Sequence, residues 1–159
     1  MPIPVWQRLL GVLVYILPWS DAIQFGGLGR GGLLDQFPDL RWLFLPTMPL
    51  LGVKMMIPLG LGNLLLFFVL FLAVVRNPKV PYFLRFNTLQ ALLVDIGIYL
   101  LSLGFLIFAR LQDTLIIRTF SSTVLIAVLA ITIFALIECL RGREPDLPGI
   151  SEAARMQLY

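Results

Sequence analysis

Twenty-one consecutive residues, Met55 to Val75, carry no charge. As an α-helix rising 1.5 Å per residue, the run covers about 30 Å, the thickness of a bilayer's hydrocarbon core. Such a run must cross a membrane or be buried on all sides. A soluble fold of 159 residues has too little interior for the second course. Composition agrees: 59% of residues are hydrophobic, 13% are charged, and mean hydropathy is +0.94. Lipid removes the need to hide that surface.

Residues 119–137 are also uncharged, and residues 86–109 carry Asp95 as their only charge. The first apolar segment is weaker. Arg8 and Asp21 lie near its ends, and Pro18 would kink or stop a helix. Leu9–Leu17 resembles the apolar core of a signal peptide, but a single Arg precedes it and the cleavage sequence Ser20-Asp21-Ala22 contains an acid. A retained span is the better reading. The expected fold is all-α: a polytopic membrane protein, a four-transmembrane-helix bundle forming one domain over 1–159. Its spans are expected at about 5–23, 55–75, 87–109 and 119–140, with both termini on one side. Residues 141–159 are expected to form a short surface tail, helical or frayed, with Ser151 as an N-cap and Glu152 in the first turn.

A loop of about residues 24–52 joins the first two spans. Its Gly-rich run, Phe25–Gly32, follows no strand, so a hinge is the better reading than a phosphate cradle. In Phe37–Pro46, Pro38 suits a helix start and Pro46 a stop, while Leu40, Leu43 and Phe44 share a face. This predicts a short in-plane helix on the bilayer, with Trp42 at the interface. An irregular loop with hydrophobic anchors is the open alternative.

Orientation follows Lys and Arg in short loops. Seven of the 12 cations lie on the side that holds the termini. The connector Arg76, Lys79, Arg85 is basic and acid-free. It places the termini toward the cytoplasm, or toward the stroma of a plastid.

Several chemistries are excluded. The chain has no His, which removes Ser-His-Asp and Cys-His pairs and imidazole metal sites. One Cys precludes an intrachain disulfide, and Cys139 is expected to be inert at a span end. The net charge of +3 is small and scattered, unlike a nucleic-acid surface. No residue pattern marks an enzyme, a cofactor or a metal.

The polar residues inside the apolar segments carry the remaining information. On one α-helix Asn87, Gln90, Asp95 and Ser102 fall within about 140° of arc. An intramembrane carboxylate faces a bundle interior or a wet cavity. Asp95 is therefore a proton or ion site, or a structural residue paired with a neighbouring helix, the favoured reading. Arg8 enters from the same side at similar depth and is its expected partner. Glu138 joins them or bonds Arg141 on its own helix. Asn63 is expected about 12 Å into the second span, as interhelical glue or the lining of a polar path. Gly60, Gly62, Gly97 and Gly104 allow close helix approach.

Arg76-Asn77-Pro78, Arg85-Phe86-Asn87, Gln90-Ala91 and Asp95 resemble the central signature of a known family. It is the twenty-kilodalton subunit family of the chloroplast inner-envelope protein translocon, with its cyanobacterial and plastid-encoded relatives. Arg8-Leu-Leu-Gly, Tyr15–Asp21, Pro145–Ser151 and Met156-Gln157 extend the resemblance over about residues 6–157. The resemblance implies four transmembrane helices, stroma-facing termini and a part in moving preproteins across the inner envelope. Implied partners are other membrane translocon subunits or further copies of the chain, the preprotein, and membrane lipid. It brings no catalytic residues. Nuclear-encoded plant members carry a transit peptide, whereas this chain starts almost at its first span, which points to a cyanobacterial or plastid-encoded relative. The competing readings are a membrane scaffold or assembly factor, and a small-solute or ion transporter using Asp95 and Asn63.

Overall fold

Proline shapes the first apolar segment. In the computed structural model, which describes residues 3–26, 33–58, 61–108 and 114–158, α1 (Val5–Leu13) and α2 (Ile16–Gly26) follow one another through a turn at Val14 and Tyr15. Pro18 lacks an N–H and crowds the carbonyl four residues back, that of Val14. The chain tightens instead: Tyr15 N donates to Val12 O at 3.1 Å and Leu17 N to Val14 O at 3.2 Å. Together the two helices make a 22-residue apolar length, Val5–Gly26.

Two long helices complete the major spans. These are α6 (Tyr82–Phe108) and α7 (Thr114–Leu140), of 27 residues each. With Val5–Gly26 they give three lengths able, by size and composition, to cross a membrane. A fourth, shorter apolar helix covers Gly62–Val75. The protein is thus an all-α four-helix membrane bundle.

The fourth helix differs from expectation. The uncharged run 55–75 is not one rod. α4 (Met48–Met56) ends at Ile57, which takes an extended backbone before Pro58, as steric pressure from a following proline favours. α5 (Gly62–Leu70) then runs into a π-helical turn, Phe71–Val75, closed by Arg76 N donating to Phe71 O at 2.9 Å. At 1.5 Å per residue, Gly62–Val75 is about 21 Å long. It falls short of a typical hydrocarbon core. α4 folds back against α5, and Gly62 makes this possible. A Cβ there would come within 2.3 Å of the Lys54 carbonyl oxygen.

The short helix α3 (Leu33–Gln36) leads into the Pro38–Thr47 segment, which is helical but wound as 3₁₀. Leu40, Leu43 and Phe44 turn toward the protein, not toward lipid. They pack on a buried cluster that includes Trp19, Ile23, Val94, Ile98 and Val124. The Trp19 indole N–H donates to Leu43 O at 3.2 Å. Trp42 and Leu45 remain exposed. The Gly27–Gly32 run, Leu59, Gly60 and Ala109–Asp113 lie outside the described residues.

α2 lies between α6 and α7. Further core patches join Tyr15, Phe83, Ala91, Ala135 and Cys139, and Leu17, Val75, Phe86, Leu89 and Leu92. Outside them, Leu72, Leu100 and Leu115 are each 60% exposed or more. In water, such surface would forfeit about 1.5–3 kcal/mol per side chain; lipid accepts it.

α2 approaches the α7 backbone closely at Gly26. A Cβ there would stand 2.4 Å from Ser121 O and 2.9 Å from Leu125 Cβ, both on α7. Gly26→Ala is expected to push α2 off α7 and cost about 1–3 kcal/mol, the usual overpacking penalty. Thermal unfolding in detergent, read by circular dichroism, checks this; an unshifted midpoint would show that the helices part freely there.

The tail is docked, not frayed. α8 (Ile150–Leu158) packs on α6, burying Ser151 and Ala154. The Arg155 guanidinium lies 5.6 Å from the Phe86 ring centroid and 3.5 Å from Asp146.

Candidate functional site

The polar face of α6 divides into two layers. The layer nearer the termini is built on Asn87 and Gln90, both fully buried. The Tyr15 hydroxyl lies 2.7 Å from Gln90 Oε1 and 3.3 Å from Asn87 Oδ1. Asn87 Nδ2 donates to Phe83 O at 2.8 Å, while its Oδ1 accepts from Cys139 Sγ at 3.0 Å. Gln90 Nε2 donates to Ser151 Oγ at 2.6 Å and to Pro145 O at 3.1 Å. Ser151 Oγ also accepts from Leu147 N at 2.7 Å and donates to Pro145 O. This hydroxyl therefore staples the tail's turn to α6 instead of serving only as a helix cap. Cys139 is part of the network.

The deeper layer holds charge. Asp95 lies five residues beyond Gln90, about 7 Å further along the helix. Its carboxyl faces Asp21 of α2 and Lys54 of α4. Lys54 Nζ forms an ion pair with Asp21 Oδ1 and donates to Ser20 Oγ at 2.9 Å. Asn63 Nδ2, in the first turn of α5, donates to Asp21 Oδ2 at 3.2 Å. The α4–α5 hairpin thus delivers both Lys54 and Asn63 to one carboxylate of α2. The Lys54 and Asp21 side chains are only 7% and 13% exposed.

Two expectations are corrected here. Arg8 is not the partner of Asp95. Its Nε donates to Ile3 O at 2.8 Å and its Nη1 to Leu140 O at 3.3 Å, so it caps the C-terminal end of α7. A cation there meets the negative end of the helix dipole. Asp95 lies well along α6 from that end and meets Asp21 and Lys54 instead. Lys54, just before the uncharged run, is buried among helices. Asn63 opens α5 instead of standing inside a continuous span, and its bond is to Asp21.

The other polar residues have local roles. Glu138 pairs with Arg141 one turn along at 3.0 Å, the second of its two expected partners. Arg85 Nε donates to Val75 O at 2.8 Å and closes the end of the π-turn. Asn77 Oδ1 accepts from Lys79 N at 3.0 Å, fixing the turn that contains Pro78. Arg76, Pro78 and Lys79 are exposed. Ser102 Oγ donates to Tyr99 O at 2.7 Å. Among the described residues, no three His, Cys, Asp or Glu side chains gather as a metal site.

This is the arrangement of an integral membrane protein whose polar residues bond helices to one another. The comparisons place it. The family model described as "Chloroplast import apparatus Tic20-like" matches residues 3–154. The chain belongs to the Tic20-like family. A "Tic20 family protein" of Synechocystis sp. is 37% identical over 156 residues, covering 96% of this chain and 92% of the relative. "Protein TIC 20-v, chloroplastic" of Arabidopsis thaliana is 29% identical over 162 residues, covering 96% of this chain and 71% of the relative. "Protein TIC 20-II, chloroplastic" from the same plant is 28% identical over 165 residues, covering 99% and 74%. The Tic20-like match takes in both polar layers, the basic Arg76–Arg85 connector and the buried part of α8.

Proposed function

We propose that the protein is a non-enzymatic integral membrane subunit of a preprotein-translocation assembly. Its setting is a plastid inner envelope or a cyanobacterial membrane, with the termini facing stroma or cytoplasm. The observation that carries this reading is the Tic20-like match over residues 3–154. The interior adds a constraint. Ile23, Phe86, Leu92, Ala135 and Cys139 are buried between the helices and fill the space a bore would need. The protein therefore passes a polypeptide only together with further copies or with partner subunits. Isolating it from native membranes while a precursor is arrested in transit tests the reading. The arrested precursor and other membrane proteins should co-purify and crosslink to it. A lone monomer, together with undisturbed precursor transport after depletion, would overturn it.

The topology belongs to the same proposal. Arg8 reaches Leu140, and α8 packs where α6 begins, so both termini and the Arg76–Arg85 connector occupy one face. Pro4→Cys, Lys79→Cys and Gln157→Cys, each in a Cys139→Ser chain, are expected to react with an impermeant thiol reagent from the same side. Labelling of Lys79→Cys from the side opposite Gln157→Cys would refute four crossings.

A small-cation transporter is the second reading, favoured by the buried Asp21–Lys54–Asp95 layer. Its mark would be cation flux by the purified chain that disappears in Asp95→Asn. The translocon reading expects no such flux.

A further inference from the structure

An apolar groove of about 660 Å³ opens between α1 and α5. α1 contributes Leu10 and Leu13 to its wall, α5 and its π-turn contribute Leu70 and Val74, and α6 contributes Leu84 and Thr88. Leu50 and Val53 of α4 also line it. Thr88 is the only polar residue in that wall among the described residues. The volume falls within the range of small-molecule sites, about 300–1,000 Å³. Water would find few hydrogen-bonding partners there. At about 21 Å, Gly62–Val75 is too short to fill the hydrocarbon depth beside the groove.

The groove reaches the face that carries the termini. Val74 lies two residues before Arg76, and Leu84 immediately precedes Arg85. Arg85 Nε donates to Val75 O at 2.8 Å, which ties the start of α6 to the π-turn beside the groove. Arg76 and Lys79 are exposed, and Arg85 is half-buried. The ion pairs among the described residues use none of these three cations. α6 begins at Tyr82 with no acid in its first turn, so the helix dipole adds positive potential at this end. Trp6, exposed one turn before Leu10 on α1, stands where an aromatic residue meets lipid headgroups. We propose that the groove holds an acyl chain of an anionic glycerolipid whose phosphate rests on Arg76, Lys79 and Arg85.

Each half of such a lipid meets its complement. The chain needs a wall without hydrogen-bonding groups, and only Thr88 departs from that. The phosphate needs cations at headgroup depth, and the connector supplies three with no acid among them. Guanidinium groups bind phosphate oxygens through paired donors. A partner's apolar helix would fill the groove and leave these charges unanswered. A free phosphate would meet the charges and leave the groove empty. One molecule that joins a chain to an anion, at the depth where a lipid holds both, satisfies the two together. This inference does not depend on the translocation role.

Native mass spectrometry of the full chain in detergent tests it. The probes are dioleoyl phosphatidylglycerol, dioleoyl phosphatidylcholine, and glycerophosphoglycerol, which keeps the anionic head and has no chains. One phosphatidylglycerol is expected to stay bound, roughly tenfold or more tighter than phosphatidylcholine, since each cation near the headgroup is worth about fivefold. The double change Arg76→Gln, Lys79→Gln alters exposed side chains and should remove most of that preference. Leu13→Trp fills the groove without touching a charge and should weaken both lipids. Val53→Trp fills it from α4 and decides the matter if Leu13→Trp is not recovered folded. Equal binding of the two lipids would mean that hydrocarbon or a partner's helix occupies the groove with no headgroup site, and would overturn the inference. So would a preference unchanged by the double change, undiminished binding to the groove-filling variant, glycerophosphoglycerol bound as tightly as the whole lipid, or no retained lipid.

Discussion

Lys54→Ala is expected to remove most of the folded protein from the membrane, and the double change Asp21→Leu, Lys54→Met to restore much of it. The reason is stranded charge. Lys54 and Asp21 are nearly sealed from solvent, with side chains 7% and 13% exposed. Breaking a buried pair by removing one partner costs about 3–5 kcal/mol, because the other charge is left uncompensated. Whole-protein stability is of order 5–15 kcal/mol, so the single change consumes a large share of it. With Lys54 gone, two carboxyl groups share the layer and nothing opposes them. The double change returns the layer to the net charge it had. It also replaces ionic groups by apolar ones, which a bilayer accepts at little cost. Lys54→Ala acts on architecture too, since Lys54 and Asn63 hold the α4–α5 hairpin to α2. The measurement is the monodisperse fraction after mild detergent extraction, read by size-exclusion chromatography. Wild-type recovery of Lys54→Ala, or a double variant as poor as the single one, would mean that the pair does not couple the hairpin to the bundle.

Much of this fold is legible because lipid imposes a simple rule. Long apolar stretches must lie in lipid or be buried in protein, so the apolar lengths of α6 and α7 are evident from residue type alone. Helical periodicity likewise placed Asn87, Gln90 and Asp95 toward the interior, and all three are buried. Partners were less legible. The expected Arg8–Asp95 pair came from depth along two separate helices, and depth carries no information about rotation or neighbours. Arg8 is level with the end of α7, whereas Asp95 is level with Asp21 and Lys54. Lys54 precedes the uncharged run, and residue type alone does not show that it is buried. A signal for the true arrangement was present: Pro58, Gly60 and Gly62 sit together near the start of that run. A proline followed by small residues favours a broken helix over a straight one. A break brings residues on both sides of it to one depth, as happens to Lys54 and Asn63. Ser151 was legible as a helix-start residue by type. Its bond to Gln90 spans 61 residues of chain and has no local signature.

Gln90→Leu is expected to release the C-terminal tail while leaving the four membrane helices assembled. Gln90 bonds Tyr15, in the turn between α1 and α2, and also the tail through Ser151 and Pro145. Leucine approximates its volume but provides neither acceptor nor donor. A buried polar group left without its partner costs about 1–3 kcal/mol. Tyr15 retains Asn87 Oδ1 at 3.3 Å, and Ser151 retains Leu147 N and Pro145 O, so the loss is partial at each end. The two ends have different reserves. Tyr15 is held in the bundle core by Phe83, Ala91 and Ala135, and α1–α2 stays in place. α8 rests on Ala154, on half-buried Ile150 and Leu158, on the Arg155 contact with Phe86 and on the Ser151 staple, and lies at the edge of the bundle. Loss therefore falls on the tail. Trypsin should cut at Arg143 and Arg155 faster than in the unaltered protein, with the thermal midpoint of the helical bundle moved less. Gln90→Glu separates geometry from mere size: it keeps an acceptor for Tyr15 and Ser151 but loses the donor to Pro145 O, and should release the tail by an intermediate amount. Equal cleavage rates in all three proteins would show that the tail is held by its apolar contacts alone.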